Sequence, residues 1–339
     1  MPASIFPLAD LGAIARLAVS LPTADVASAK AAAARQATLT KPAGSLGRLE
    51  DLAQFMAGWH ATPRPAIETA QALVFAGNHG VCAQGVNPYP QAVTAAMVAN
   101  FAAGGAAINQ ICDVTGAQLS VIALHLDHPT ADFTHGPALT DMDCLDALNR
   151  GAAAVDRAAD ILVLGEMGIG NSTVASALAA ALFGGTAADW VGPGTGANAA
   201  GLARKRAAVE QGLARHAGLS PMAMLAAFGG REQAAICGAV LAARATRIPV
   251  ILDGFICTAA AAVLFAVDAR LLDHCVVGHV SPEPGHRRLL SAIGQAPLLD
   301  LGMRLGEGTG AALALGIVRA ALACHNGMAT FAEAGIAVP

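Results

Sequence analysis

Asp160-Ile-Leu-Val-Leu-Gly-Glu-Met-Gly-Ile-Gly-Asn-Ser-Thr173 holds the fold in miniature. Its apolar start reads as a buried strand, Gly165 to Gly170 as a glycine turn, and the alanine-rich run Ser172–Phe183 as a helix. The same order recurs along the chain. Ala72–Ala76 leads into Gly77-Asn-His-Gly80, and Pro249–Asp253 leads into Gly254 and the helical run Thr258–Val267. Leu119–Leu124 and Cys275–Val277 read as further strands. Short apolar strands alternating with helices specify an α/β fold: a Rossmann-like parallel sheet with helices on both faces. Ligands of such sheets bind outside the carboxyl ends of the strands, where these glycine turns fall.

The ends of the chain read differently. Ala24–Gln36 and Leu46–Trp59 are helical, joined by Thr38–Ser45 with no strand between them, and Ala311–Cys324 is helical as well. The expected organisation is an α/β domain over 69–310 and a small helical lobe made of 1–68 with 311–339.

Hydrophobic residues make up 55% of the 339 and charged residues 13%, with a mean hydropathy of +0.54, which raises the question of a membrane. The most apolar stretches, Gly254–Val267 between two aspartates and Gly310–Ile317 before Arg319, fall short of the roughly 18–20 residues a spanning helix needs. The expectation is a soluble chain. Met1-Pro-Ala-Ser-Ile-Phe-Pro7 shows no basic segment leading into an apolar one. Seven dispersed cysteines without a CxxC pair read as reduced thiols, so a cytoplasmic location is expected. A net charge of −4, 4% aromatics and no basic cluster larger than Arg204-Lys205-Arg206 argue against a nucleic-acid partner.

Gly165-Glu-Met-Gly-Ile-Gly-Asn-Ser172 has the spacing of a phosphate loop with Asn171 in place of lysine. Backbone amides at a helix N-terminus bind an anion without side-chain charge. With no lysine and with Glu166 present, a monophosphate or ribose fits better than a polyphosphate. The competing reading is a tight strand–helix turn with Ser172 and Thr173 as caps. Val191-Gly-Pro-Gly-Thr-Gly196 is a second glycine turn, but Lys205 beyond it reads on its own as a surface lysine. Ser281-Pro-Glu-Pro-Gly-His286 brings Ser281 to a ligand or is a proline-rich surface loop. His79, after a strand, reads alone as a hydrogen-bonded turn residue. His125, His128 and His135 match no zinc spacing, so no metal is expected. In Arg304-Leu-Gly-Glu-Gly-Thr-Gly310 a carboxylate is presented on bare backbone before an apolar helix. Burial would raise the pKa of Glu307 and make it a base, whereas a helix N-terminus would lower it. Both readings stay open on sequence alone.

As a set, Lys41-Pro-Ala-Gly-Ser-Leu-Gly-Arg-Leu-Glu50, Asn78-His-Gly-Val81, Gly165–Thr173, Leu252-Asp-Gly-Phe255 and Met303–Gly310 closely resemble the nicotinate-nucleotide–dimethylbenzimidazole phosphoribosyltransferases of cobalamin nucleotide-loop assembly. The blocks occur in that family's order, from about residue 30 to near the C-terminus. The resemblance implies a homodimer that transfers phosphoribose from nicotinate mononucleotide to 5,6-dimethylbenzimidazole without a cofactor or metal. It implies Glu307 as general base, and Glu166 facing the ribose or the developing positive charge. Phosphoribose would be held by Gly168, Gly170, Asn171, Ser172, Gly194, Thr195, Gly196, Lys205 and Ser281. The acceptor pocket would comprise His79, Tyr89, Met97, Met167 and Leu305.

The chain departs from the family pattern at Asn78, where aspartate is usual, at Tyr89 and Met97, and at His125 in place of a glycine. These departures leave open whether the acceptor is dimethylbenzimidazole, another benzimidazole, a purine or a phenol. The alternative function is a non-catalytic nucleotide-binding or sensory protein on the same fold. A nicotinamide-dependent dehydrogenase would need a Gly-x-Gly-x-x-Gly turn after its first strand, which is missing.

Overall fold

A computed structural model describes residues 5–337, so positions 1–4 of the N-terminal stretch, and 338–339 of the C-terminal lobe, lie outside it. Its centre is a six-stranded sheet: β1 (Ala70–Ala76), β2 (Ala117–Ala123), β3 (Ile161–Met167), β4 (Val250–Leu252), β5 (Cys275–His279) and β6 (Pro297–Leu299). The spatial order is β2-β1-β3-β4-β5-β6, and every pairing is parallel. The winding reverses between β1 and β3, which opens a crevice at their carboxyl ends.

Alternation along the strands builds two cores. Leu73, Phe75, Leu162, Leu164, Leu252 and Val277 face one side, packed against the helices Asp141–Ala153, Asn171–Phe183, Arg231–Ala245 and Phe255–Val267. Ala72, Val74, Ile161, Val163, Ile251 and Val276 face the other, against Arg48–His60, Ala107–Thr115 and Thr309–Gly327. Burial on both faces is why β1, β3, β4 and β5 read as continuous apolar runs. The α/β expectation is borne out.

One strand boundary differs from the sequence expectation, and one strand was not expected at all. The strand beginning at Ile161 pairs with β1 as far as Ala76↔Met167, so Gly165, Glu166 and Met167 belong to β3 and not to a loop. The turn is therefore Gly168 to Gly170, and the phosphate-loop spacing counted from Gly165 is coincidental. Glu166 continues the face of Leu162 and Leu164, which buries it. The edge strand β6, three residues beginning with a proline, gave no signal in the sequence.

The chain ends meet. Leu39 forms an antiparallel bridge with Thr330, and the Arg35 guanidinium donates to the carbonyls of His325 and Met328 at 2.8 and 3.0 Å. The Thr309–Gly327 helix packs on Arg48–His60 and on the sheet alike.

The run Ala92–Thr115 has the length and a mean hydropathy of 1.3 compatible with crossing a membrane. It is not one helix. Ala92–Ala102 and Ala107–Thr115 are separated by a break containing Gly104 and Gly105. At about 1.5 Å per residue each is roughly half the ~30 Å hydrocarbon thickness.

Candidate active site

The carboxyl ends of β3, β4 and β5, with Val86–Pro88 from the loop after β1, surround a cleft whose space, open solvent included, is about 860 Å³. Glu307 enters it on a backbone in the left-handed region, φ +63°, between Gly306 at +83° and Gly308 at +81°. A non-glycine residue there is strained and persists only where its surroundings hold it. The Glu307 N–H donates to the Glu166 carbonyl at 3.2 Å, and Thr309 caps the turn through N–H and Oγ1 bonds to the Gly306 carbonyl. Glu307 is 6% exposed. Burial first, and the charge of Asp253 second, push its carboxyl up to about 7. Of the two effects left open by the sequence, burial prevails over the helix N-terminus.

Glu166 is held well above the usual carboxylate range, chiefly by burial and then by the charges of Asp253, Glu232 and Glu307. Asn171 Nδ2 donates to Glu166 Oε2, which opposes that shift. The residue that replaces the phosphate-loop lysine thus serves a carboxyl group.

Across the cavity, no side chain caps the helix that starts after Gly170, so its electropositive end is left to the opening. Ser172, Gly194, Thr195 and Ser281 lie around it. Lys205 is not the surface residue its isolated reading gave. Its ammonium is buried and donates to the Gly192 carbonyl at 2.6 Å and to Ser172 Oγ at 3.1 Å. Burial lowers its pKa, and the charge of Glu283 works in the opposite direction. One oxygen of Glu283 accepts the Gly194 N–H at 2.7 Å, while the other is buried without a hydrogen-bond partner. Ser281 is likewise buried, at the start of a structured turn.

The cavity wall thus gathers Glu307, Glu166, Gly168, Gly170, Asn171, Ser172, Gly194, Thr195, Lys205, Ser281, Met167 and Leu305. It leaves out four of the expected residues. Gly196 turns away after Thr195, and Tyr89 is half exposed beyond Pro88, which does line the cavity. Met97 packs against the second core. His79 is fully buried behind the Gly168 turn, with Nε2 3.0 Å from Glu232 Oε1. Sequence reasoning gave no role to Asp253, His279, Glu283 or Arg304, all of which line the cavity. Only the position of Asp253 at a strand end, inside Leu252-Asp-Gly-Phe255, carried a signal. His125 and His135 contact different aspartates, and among the described residues no group of three ligand-type side chains is arranged for a metal ion.

An uncapped helix N-terminus with a buried lysine beside it and a carboxyl raised to about 7, gathered at the carboxyl ends of a parallel sheet, are the features of an enzyme site for a small phosphorylated ligand. The chain belongs to the phosphoribosyltransferase family whose model matches residues 21–336. It is 68% identical to the nicotinate-nucleotide–dimethylbenzimidazole phosphoribosyltransferase of Rhodobacter capsulatus, over 95% of this chain and 97% of the relative. The protein of the same name from Novosphingobium aromaticivorans is 59% identical, over 97% and 98%. The crystal structure of such an enzyme from Thermus thermophilus matches with a TM-score of 0.87 at 40% identity, covering 93% of this chain and all of that one. The family that the motif blocks resemble is the one these relatives share.

Proposed function

We propose that this chain transfers phosphoribose from nicotinate mononucleotide to 5,6-dimethylbenzimidazole or a related base, giving α-ribazole 5′-phosphate and nicotinate for cobalamin nucleotide-loop assembly. The observation that carries the mechanism is Glu307, buried at the cavity wall with its carboxyl at about 7.

The donor's nicotinate is already a cationic pyridinium, so it leaves with the bonding pair as a neutral ring and needs no general acid. A glycosidase protonates its leaving group and needs a second carboxyl for that. Here one acceptor nitrogen attacks C1′ from the opposite face, inverting it, while the other must lose its proton. Glu307 takes that proton, and general-base help of this kind contributes about 10²–10⁴ in rate. The Gly168–Ser172 turn, Gly194, Thr195, Lys205 and Ser281 hold the phosphoribose. Glu166, bonded to Asn171, faces the ribose. Met167 and Leu305 supply apolar wall for a flat aromatic. Tyr89 follows Pro88 at the cavity edge, and Met97 packs in the core that contains Met167.

We assign the chain to a homodimer, supported by the apolar run Ala92–Thr115, only 22% of whose most apolar window is buried within one subunit. The 69–310 segment forms the catalytic α/β domain and the two ends the helical lobe, supported by the Leu39–Thr330 bridge. A cytoplasmic setting suits the free cysteines.

Incubation with nicotinate mononucleotide and dimethylbenzimidazole, followed by assay for α-ribazole phosphate, tests the reading. Product is expected, and Glu307→Gln is expected to lose about 10²–10⁴ in kcat. Tight nucleotide binding with no product, indifferent to Glu307→Gln, would instead identify a sensor.

A further inference from the structure

Asp253 stands just past the carboxyl end of β4 and is 1% exposed. Both of its oxygens reach across to the segment that carries Glu307. Oδ2 accepts the Gly308 N–H at 3.1 Å, and Oδ1 accepts the Ala311 N–H at 3.0 Å. Gly308 precedes the Thr309–Gly327 helix and has no side chain with which to cap it. The capping carboxylate comes instead from a residue 55 positions earlier in the chain. Behind it, His279 Nε2 at the end of β5 lies 3.3 Å from Asp253 Oδ1, an ion-pair contact rather than an aligned hydrogen bond. The imidazole fills the space between Gly254 and Gly310, where a Cβ on either would collide with it. The Glu307–Gly308 peptide is thus tied to β4 by Asp253, while the Glu307 N–H is tied to β3 by the Glu166 carbonyl.

We propose that Asp253, backed by His279, is the positioning residue of the catalytic base, holding Glu307 in its left-handed conformation at the cavity wall. The inference rests on Glu307 acting as the base. Asp253 acts through Glu307 in two ways. Its hydrogen bonds fix the peptide that follows Glu307, and its charge, after burial, raises the proton affinity of the Glu307 carboxyl. The ionisable groups sharing the cavity wall with Glu307 are Asp253 after β4, Glu166 on β3, His279 on β5, Arg304 on its own segment, and Lys205 with Glu283 on the side of the helix N-terminus. Burial disfavours the charged form of His279, but the contact with Asp253 outweighs it and raises its pKa. The pair therefore presents the helix start with a supported carboxylate.

Asp253→Asn keeps the side-chain shape, removes the charge and leaves one acceptor oxygen for two amides. A misplaced base of this kind is expected to lower kcat by about 10–100-fold. KM for nicotinate mononucleotide should stay within about threefold, since the phosphoribose cradle is untouched. The acid limb of the kcat profile should move to lower pH, because the lost negative charge had raised the pKa of Glu307. In a Glu307→Gln background, Asp253→Asn should cost less than about a further twofold, as expected of two residues acting as one unit. Multiplying losses, or an unmoved acid limb, would overturn the positioning role while leaving Glu307 as base. Full activity of Glu307→Gln would overturn the base assignment and this proposal together. If Asp253→Asn does not fold, His279→Gln tests the same pair with both amide bonds to Asp253 intact. A loss of about 2–10-fold in kcat that vanishes in the Glu307→Gln background supports the proposal, and an equal loss in both backgrounds overturns it.

Discussion

Gly165 in β3 lies so close to Gly308 that a Cβ on it would overlap the Gly308 amide nitrogen and Cα. The overlap is with backbone, so no side-chain rotation relieves it. This bare strand position lets the Glu307 segment dock on the sheet. Gly165→Ala is expected to displace the base by a fraction of an ångström or more and to lower kcat by about 100-fold. Nucleotide binding, measured by calorimetry, should change little, because the Gly168–Ser172 turn lies further along. An active Gly165→Ala enzyme would show that the docking does not matter for the base.

With Glu307 as the proposed base, the pH dependence of turnover follows from its carboxyl. A base works only when ionised, so kcat should fall as pH drops through about 7, the value to which burial and Asp253 raise the carboxyl. The sign for stability is opposite. A carboxyl whose folded pKa is raised binds its proton more tightly in the native state, so its contribution weakens as pH rises from the ordinary value of 4.5 towards about 7. Glu307→Gln should therefore raise Tm more at pH ~8 than at pH ~5, while abolishing most activity at both. Equal Tm changes at the two pH values would mean that the native carboxyl is not raised.

Lys205 should govern the donor and not the acceptor. Its buried ammonium lies between Ser172 and Gly192 beside the turn that faces the cavity. A hydrogen bond to a charged group is worth about 1.5–3 kcal/mol, so Lys205→Met should raise KM for nicotinate mononucleotide by about 10–100-fold. KM for dimethylbenzimidazole should stay nearly constant. Equal rises in both would mean that the lysine supports the loop as a whole.

His79 separates two roles by one substitution. Its imidazole is fully buried against Glu232, under glycines 77, 168 and 230, where added Cβ atoms would press on the pair or on neighbouring backbone. His79→Ala removes a buried ring and leaves Glu232 without that contact, and leaving a buried polar group unpaired costs about 1–3 kcal/mol. Urea unfolding should register that loss. A residue of the acceptor pocket would behave otherwise, with stability kept and KM for the base raised.

Much of the fold was legible because its signals are local. Four of the six strands, β1, β3, β4 and β5, are apolar runs buried on both faces, and glycines mark the turns after β1, β3 and β4. Glu307 was legible for a related reason: a lone carboxylate among glycines has a conspicuous backbone, whatever its surroundings. Lys205 was not, since nothing near it in sequence tells a buried lysine from the solvated neighbours Arg204 and Arg206. Its partners Ser172 and Gly192 are brought to it by folding. Glu166 was read as a loop residue, and only the pairing of β3 with β1 puts it inside a strand.

The sequence by itself determined the α/β architecture, the glycine turns at the strand ends and the family blocks, because hydrophobic periodicity and turn chemistry act over a few residues. Tertiary structure alone decided which ionisable groups share one wall. Asp253, His279, Glu166 and Glu307 come from four separate segments, and their proton affinities depend on burial and mutual charge. Those are properties of distances in space, which no spacing along the chain records. Whether Glu307 is a surface carboxylate at a helix start or a buried carboxyl raised to about 7 is therefore decided by the β3 and β4 ends that close around it.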